Sequence, residues 1–273
     1  MRGTRVILLL AATAGLALQP VAQANEQPSG RDIVERCDFK YPGDDQKTRL
    51  TIVLRDKDGN EKRNVYSRFW KDYEGADDIA DKMVLFTEFP PDAKGAGFMR
   101  WGYTAETGKN AEQWIYLPNL KRMRRVSVRD PGESFLGSDL THFDIGDRDI
   151  DADEHTVQQA GERDGAMLFV VESVPRDSSK SLYSKVVSLY AQPVGAEEQS
   201  CVKRAVDYYD QRGNLLKKQT ITWQQVDGAW VWDEVQVQNT QNGHSSVFTV
   251  TDVEINTGVA DNVFTERNLT RGP

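Results

Sequence analysis

The chain has 273 residues, 38% hydrophobic and 28% charged, with 42 acidic against 34 basic side chains and a formal net charge of -8. That length accommodates one large β domain or two smaller domains. The acidic balance argues against nucleic acid as a partner, and past the first two dozen positions no run is apolar for the roughly 20 residues a spanning helix needs.

At the start, Arg2 and Arg5 precede an apolar run from Val6 to Leu18, and Ala22-Gln23-Ala24 puts small residues where a signal peptidase reads them. This is the pattern of a secretory leader. As a membrane anchor the run is too short, and Gly15 and Pro20 interrupt it. The expectation is a signal peptide at 1–24 and one exported domain at 25–273, with no Cys at the cleavage point to carry a lipid. Two cysteines are present, Cys37 and Cys201. An oxidising compartment permits a bridge between them; two buried free thiols are the other reading, and nothing in the spacing decides.

Ser29 caps a predicted helix from Gly30 to Phe39. Asp32 and Glu35 suit its early turns, and Ile33, Val34 and Cys37 form its apolar stripe. After Pro42-Gly43 the period becomes two: Leu50, Ile52 and Leu54 alternate with Thr51, Val53 and Arg55. The turn Asp58-Gly59 leads into a second strand, Lys62 to Trp70, on which Tyr66 and Trp70 share a face with Arg68 between them. An acid-rich loop precedes the strand Met83 to Phe89, which Pro90-Pro91 stops. Phe98 to Tyr103 and Trp114 to Leu117 follow, the latter ended by Pro118.

Then comes a basic run, Lys121, Arg122, Arg124, Arg125 and Arg129. Behind it lies a loop-like segment through which Phe135, Leu136, Leu140 and Phe143 are spaced. Apolar side chains in a loop stay exposed to water unless something covers them, so this segment packs over a cavity or closes one. The acidic run Asp147 to Asp153 reads as a solvated loop. Seven further strands follow: His155 to Glu162, Met167 to Val174, Tyr183 to Ala191, Cys201 to Tyr209, Lys217 to Val226, Trp230 to Asn239 and His244 to Ile255. Val263 to Thr270 is a last element of either type.

About eleven strands joined by short turns imply antiparallel pairing and a sheet that closes, or nearly closes, into a barrel. Such a barrel is too wide to be filled by its own side chains. The N-terminal helix and the segment Phe135 to Phe143 are the available plugs.

Catalytic signatures are missing. His142, His155 and His244 are not at metal-ligand spacing, and there is no nucleophile elbow, phosphate loop or dinucleotide fingerprint. Ser138, His142 and Asp144 make a triad only in the sense that such triples arise by chance. The chain reads as a binder that is not an enzyme and has no metal or cofactor. All six tryptophans fall on predicted strands, either as ordinary core or as the wall of an apolar interior. On the second reading Trp70, Phe86, Trp101 and Trp114 line the cavity, Phe135, Leu136, Leu140 and Phe143 form its lid, and Arg125 is the cation nearest a ligand. At roughly 0.8 kcal/mol per methylene, a sixteen-carbon chain would gain about 12 kcal/mol in a dry interior.

The block QWIYLPNLKRMRRVSVRDPGESFLGSDLTHFD, from Gln113 to Asp144, resembles the signature of the outer-membrane-lipoprotein-sorting proteins, relatives of the LolA and LolB carriers. These have a tryptophan strand with YLP, an arginine-rich strand, then a segment of the SFLGSD type. The tail DNVFTERNLTR is similar to the family's closing block, with Glu266, Arg267 and Leu269 in place. The resemblance implies a half-open antiparallel barrel of about eleven strands with short helices across its mouth. It also implies a monomeric periplasmic carrier of lipid or lipoprotein acyl chains, with transient membrane contact and an exporter of the resistance-nodulation-division (RND) type as a partner. The absence of a lipid-attachment cysteine resembles the soluble carrier rather than the anchored receptor, and His142 departs from the family's aromatic at the lid. Three rivals remain. One is a scaffold module of an envelope transport complex that uses the barrel only as a frame. A second is an outer-membrane barrel, against which stand the polar stretches Lys121 to Arg129 and Gln236 to Asn239. A third is a hydrolase with an unrecognised site, which ester turnover lost on Ser138→Ala would reveal.

Overall fold

The computed structural model describes residues 28–109, 111–126, 132–146 and 148–272. The expected leader at 1–24, Arg129 and Asp147 lie outside the described residues.

Helix α1 spans Gly30–Asp38 and is closed at its start by a capping box: the Ser29 hydroxyl accepts from the Asp32 amide, and the Asp32 carboxylate accepts from Ser29 in return. Strands β1 (Asp45–Arg55), β2 (Glu61–Asp72), β3 (Ile79–Phe89), β4 (Gly97–Tyr103), β5 (Glu112–Leu117) and β6 (Arg122–Val126) follow. The second series is β7 (Asp153–Arg163), β8 (Ala166–Pro175), β9 (Lys185–Pro193), β10 (Val202–Tyr209), β11 (Leu215–Val226), β12 (Ala229–Asn239) and β13 (Ser245–Ile255). The last element, open between strand and helix in the sequence, is a short 3-10 turn leading into helix α2, Glu266–Arg271. Its N-cap is Thr265, whose hydroxyl accepts from the Asn268 amide.

All thirteen strands form one antiparallel sheet, somewhat more than the eleven or so expected, because the basic stretch is itself an edge strand paired from Leu117↔Arg122 to Gln113↔Val126. The order is β6-β5-β4-β3-β2-β1-β13-β12-β11-β10-β9-β8-β7. Each strand pairs with its neighbour in sequence except at the centre, where β1 meets β13. One consequence sets up the site. Strands β6 and β7 are consecutive in the chain yet stand at opposite edges of the sheet, so the connection between them must cross the open side of a half-closed barrel.

That crossing segment fills part of the interior, as the plug argument required. Phe135 and Leu140 are buried in one core cluster with Leu50, Ile52, Leu85 and Phe248. Beside it, α1 lays Ile33, Val34 and Cys37 against Phe169, Val171 and Tyr190 of the same sheet face. Cys37 is bonded to Cys201, at the start of β10 and 164 residues away. In the chain-entropy account, closing a loop of that size contributes about 5 kcal/mol. Helix α2 packs on the other face of the sheet, where Phe264 and Leu269 join Val84, Phe86, Met99 and Trp114. Gly97 permits the approach, since a Cβ there would stand 2.6 Å from the Leu269 side chain.

Candidate ligand cavity

The interior face is not filled. A cavity of about 440 Å³ opens beside the crossing segment. Leu50, Met83, Phe248 and Val250 form its apolar wall, Trp70, Trp223, Trp230 and Trp232 its aromatic wall, and Phe135 and Ile145 reach it from the crossing segment. That volume lies in the range of small-molecule sites.

Its polar groups converge from β1 to β4. Asp81 accepts from Arg100 Nη1 at 2.6 and 2.9 Å and from Trp70 Nε1 at 2.9 Å. Gly102 is paired with Asp81 across the strands, and a Cβ there would fall 2.1 Å from the Asp81 carboxylate, so only glycine leaves room for the pair. Arg68 stands between Tyr66 and Trp70 on β2. Its Nη1 donates to Gln46 Oε1 at 2.6 Å, while Gln46 Nε2 donates to the Pro42 carbonyl at 2.7 Å. Among the described residues no carboxylate lies at ion-pair distance from Arg68. Burial disfavours its charge and draws its pKa down to about 10, against a smaller opposing pull from Asp81.

A second cavity of about 380 Å³ lies alongside, and the two share Trp223 and Trp232. Leu140 and Phe143 of the crossing segment line it, with Val34 and Phe39 from α1 and Tyr183, Tyr190 and Tyr208 from the sheet side. Its cations are paired. Lys203 Nζ lies 2.7 Å from Asp38, and Arg148 donates to Asp153 at 2.6 and 2.7 Å. Asp144, at the end of the crossing segment, accepts from Tyr183 Oη at 2.6 Å and from the Thr141 amide and hydroxyl at 2.6 and 2.8 Å. It also pairs with Lys217 of β11; the two side chains are 1% and 3% exposed. Lys217 donates further to the Asp139 carbonyl at 2.8 Å. Burial, then the nearby Asp144 charge, pushes the Tyr183 phenol far above its ordinary range, so it remains a donor.

The remaining contacts fasten the crossing segment to both halves of the sheet. The Asp139 amide donates to Ser246 Oγ at 2.9 Å, and the Asp139 carboxylate lies 2.8 Å from His244 Nδ1. Phe135 meets Phe98 and His142 edge to face, and His142 Nδ1 lies 3.3 Å from Gln113 Nε2 of β5.

The residues expected to line a cavity divide. Trp70 and Phe135 reach the first cavity, and Leu140 and Phe143 the second. Leu136 packs against the core beside Phe135 but lines neither. Phe86, Trp101 and Trp114 face the opposite way, under α2, where Trp101 Nε1 donates to the Phe264 carbonyl at 3.2 Å. The reason is the two-residue period: Leu85 and Phe98 point inward, so Phe86, Met99 and Trp101 point out. Arg125 also lies on that outer side, over the Trp114 ring at 5.7 Å and paired with Glu112, and lines neither cavity. Missed in the sequence were Arg68 and the Asp81–Arg100 pair. A cation between two aromatics on an inward face was the available sign for Arg68.

Ser138, His142 and Asp144 are each engaged separately. The Ser138 hydroxyl donates to the Phe135 carbonyl at 2.7 Å, His142 meets Gln113, and Asp144 is held by Lys217 and Tyr183. Among the described residues no group of three His, Cys, Asp or Glu side chains could hold a metal ion, and no helix is long and apolar enough to cross a membrane.

A family model described as "Uncharacterized protein" matches residues 80–271. No curated protein matches the chain. Among solved structures, a DUF1329 family protein from Desulfovibrio piger superposes with a TM-score of 0.74 at 22% identity, covering 88% of this chain and 97% of that one. A putative outer membrane lipoprotein-sorting protein domain from Vibrio parahaemolyticus gives 0.71 at 26% identity, covering 89% and 98%. A LolA superfamily protein from Nitrosomonas europaea gives 0.62 at 17%, covering 88% and 99%. The chain belongs to the family of the matching model, and its half-open antiparallel barrel is the fold of the LolA-like, outer-membrane-lipoprotein-sorting proteins.

Proposed function

We propose that this protein is a periplasmic carrier, exported by its leader, that takes the acyl chains of a lipid or lipoprotein into the cavity beside the crossing segment and passes them toward the outer membrane. One observation carries the reading: the sheet curves around space that neither its own side chains nor the plugs fill, and that space is walled by four tryptophans with Leu50, Phe248 and Val250. A hydrocarbon chain in that space would take the tryptophan and aliphatic surface out of water. The outer-membrane-lipoprotein-sorting name of the Vibrio structure supports the same class of cargo.

Transient membrane contact has its own support. The β5–β6 hairpin at the sheet edge exposes Lys121, Arg122 and Arg124 beside Leu120, 62% exposed, and Met123, 36% exposed. A cationic tip with apolar side chains on an otherwise acidic protein suits an anionic bilayer surface, where each cation contributes about 1 kcal/mol. An RND-type exporter as partner rests on the family resemblance alone, and cross-linking in cells tests it.

The carrier reading is tested by purifying the protein without detergent and identifying bound species by mass spectrometry, then following uptake of a fluorescent fatty acid by the delipidated protein. Bound acyl species and saturable uptake are expected. Repeated absence of both overturns the reading and leaves the scaffold alternative.

A further inference from the structure

The first cavity contains a cation, Arg68, with no carboxylate at ion-pair distance among the described residues. Arg68 offers five N–H donors in a planar fork. One nitrogen is engaged by the neutral oxygen of Gln46. The two carboxylates that line the same cavity do not complete it. Asp81 is held by Arg100 and Trp70, and Asp72 accepts from the Glu74 amide at 2.7 Å. Three other cations on this face have carboxylates against them: Arg100 with Asp81, Lys203 with Asp38, Lys217 with Asp144. Arg68 is half-buried at the cavity wall, and a guanidinium partly withdrawn from water with no anion against it is a cost to the fold. Such a cost is consistent with a group kept for a ligand, and the guanidinium fork fits a carboxylate or phosphate through two parallel hydrogen bonds. The surroundings fix the rest of the ligand: within the same cavity the wall turns to Trp70, Trp223, Trp230 and Trp232.

We infer that the cavity binds an amphiphile with a single hydrocarbon chain and an anionic head, the head against Arg68 and Gln46 and the chain between the tryptophans. The inference rests on the acyl-carrier reading and narrows it. A fatty acid meets the description, whereas an acyl anchor joined through neutral ester or amide groups leaves Arg68 unpaired. Gln46 is the positioning residue, fixed by Pro42 on one side and holding the guanidinium on the other.

The experiment titrates delipidated protein at pH 8 with laurate, dodecanol and acetate, read by tryptophan fluorescence and calorimetry, in wild type and in Arg68→Met. Laurate is expected to bind at least tenfold more tightly than dodecanol to the wild type. Acetate is expected not to saturate at the same concentrations. Arg68→Met should bind the two long-chain ligands equally and, with its ligand removed, melt at a higher temperature than the wild type, because the unpaired charge is gone. Equal affinity of laurate and dodecanol for the wild type overturns the inference and leaves the carrier reading standing. Saturation by acetate alone would make this a free-anion site and overturn the amphiphile. If neither long-chain ligand binds, the carrier reading itself falls. The wild-type comparison stands even if Arg68→Met fails to fold, and Arg68→Lys, which keeps charge but loses the fork, should retain part of the preference.

Discussion

The two cavities share two tryptophans and one sheet face, yet they differ in the treatment of one cation. In the second, Lys203 and Arg148 each have a carboxylate, and the tyrosines beside them are uncharged donors. In the first, Arg100 is paired with Asp81, but no carboxylate among the described residues lies at ion-pair distance from Arg68, which donates to the Gln46 amide oxygen. Both lie behind the same crossing segment, so the contrast is not one of access alone. The paired groups hold architecture: Asp144 and Lys217 fasten the segment to β11, and Asp38 and Lys203 join α1 to β10. The unpaired one is available to something from outside. A half-open barrel thus uses part of its polar interior to fix its plug and keeps another part free.

The largest effect is expected from breaking the fastening. Lys217→Met leaves Asp144 buried without its cation and removes the donor to the Asp139 carbonyl. Removing one partner of a buried pair costs about 3–5 kcal/mol, to be read as a lower urea midpoint. If the pair fastens the segment, hydrogen exchange should rise first in residues 133–146, and Asp144→Asn/Lys217→Met together should lose less than the two single losses added. Uniform exchange across the sheet would deny the segment any separate anchoring.

Next in size is a matched pair of truncations. Leu140 and Leu269 are both fully buried, but Leu140 sits in the crossing segment and Leu269 in α2 on the opposite face. Each Leu→Ala change should cost about 2–5 kcal/mol through lost burial and the void it leaves. Their effects on laurate should differ. Leu140→Ala enlarges the interior and alters affinity, whereas Leu269→Ala leaves affinity unchanged at temperatures where the protein is folded. An equal change in both would mean that ligand binding reports only global stability.

Much of the fold could be read in the chain, and the reason is periodicity. Leu50, Ile52 and Leu54 alternate because one side of β1 faces the interior, and all three are buried there. Ser29 followed by Asp32 announced the α1 start, and the tight turns separated the strands. The segment Phe135 to Phe143 could be recognised as a plug because apolar side chains in a turn-rich stretch need cover. The side of each aromatic was not legible for β3 to β5, since both faces of these strands are buried, one under the crossing segment and one under α2. With both faces apolar, Phe86, Trp101 and Trp114 look the same as Trp70. Nor could spacing join Cys37 to Cys201, because that contact depends on α1 folding back onto strands 164 residues later. The free charge of Arg68 was hidden for a related reason. Whether an inward arginine has a partner is decided by neighbouring strands, and here the nearest acid, Asp81, is taken by Arg100.

The smallest expected effect is a pH dependence of the crossing segment's attachment on the β5 side. His142 is held below its ordinary pKa by burial first, with Arg100 adding to the depression and Glu133 opposing it. Above pH 6.5 both the folded and the unfolded chain carry this ring neutral, so it makes no difference to stability. As pH falls through 6.5 the unfolded chain takes the proton first, and stability is lost progressively until the lower folded-state pKa is passed. A protonated ring would also face Arg100 and lose the acceptor that Gln113 Nε2 uses when the ring nitrogen is bare. Exchange in residues 133–146 should therefore quicken between pH 7.5 and pH 5.5, more than in β11 to β13. His142→Gln should flatten that difference while leaving the Lys217–Asp144 attachment in place. If the variant shows the same acid response as the wild type, the sensitivity belongs to another group, and this side of the segment is held by apolar packing such as Phe135 on Phe98.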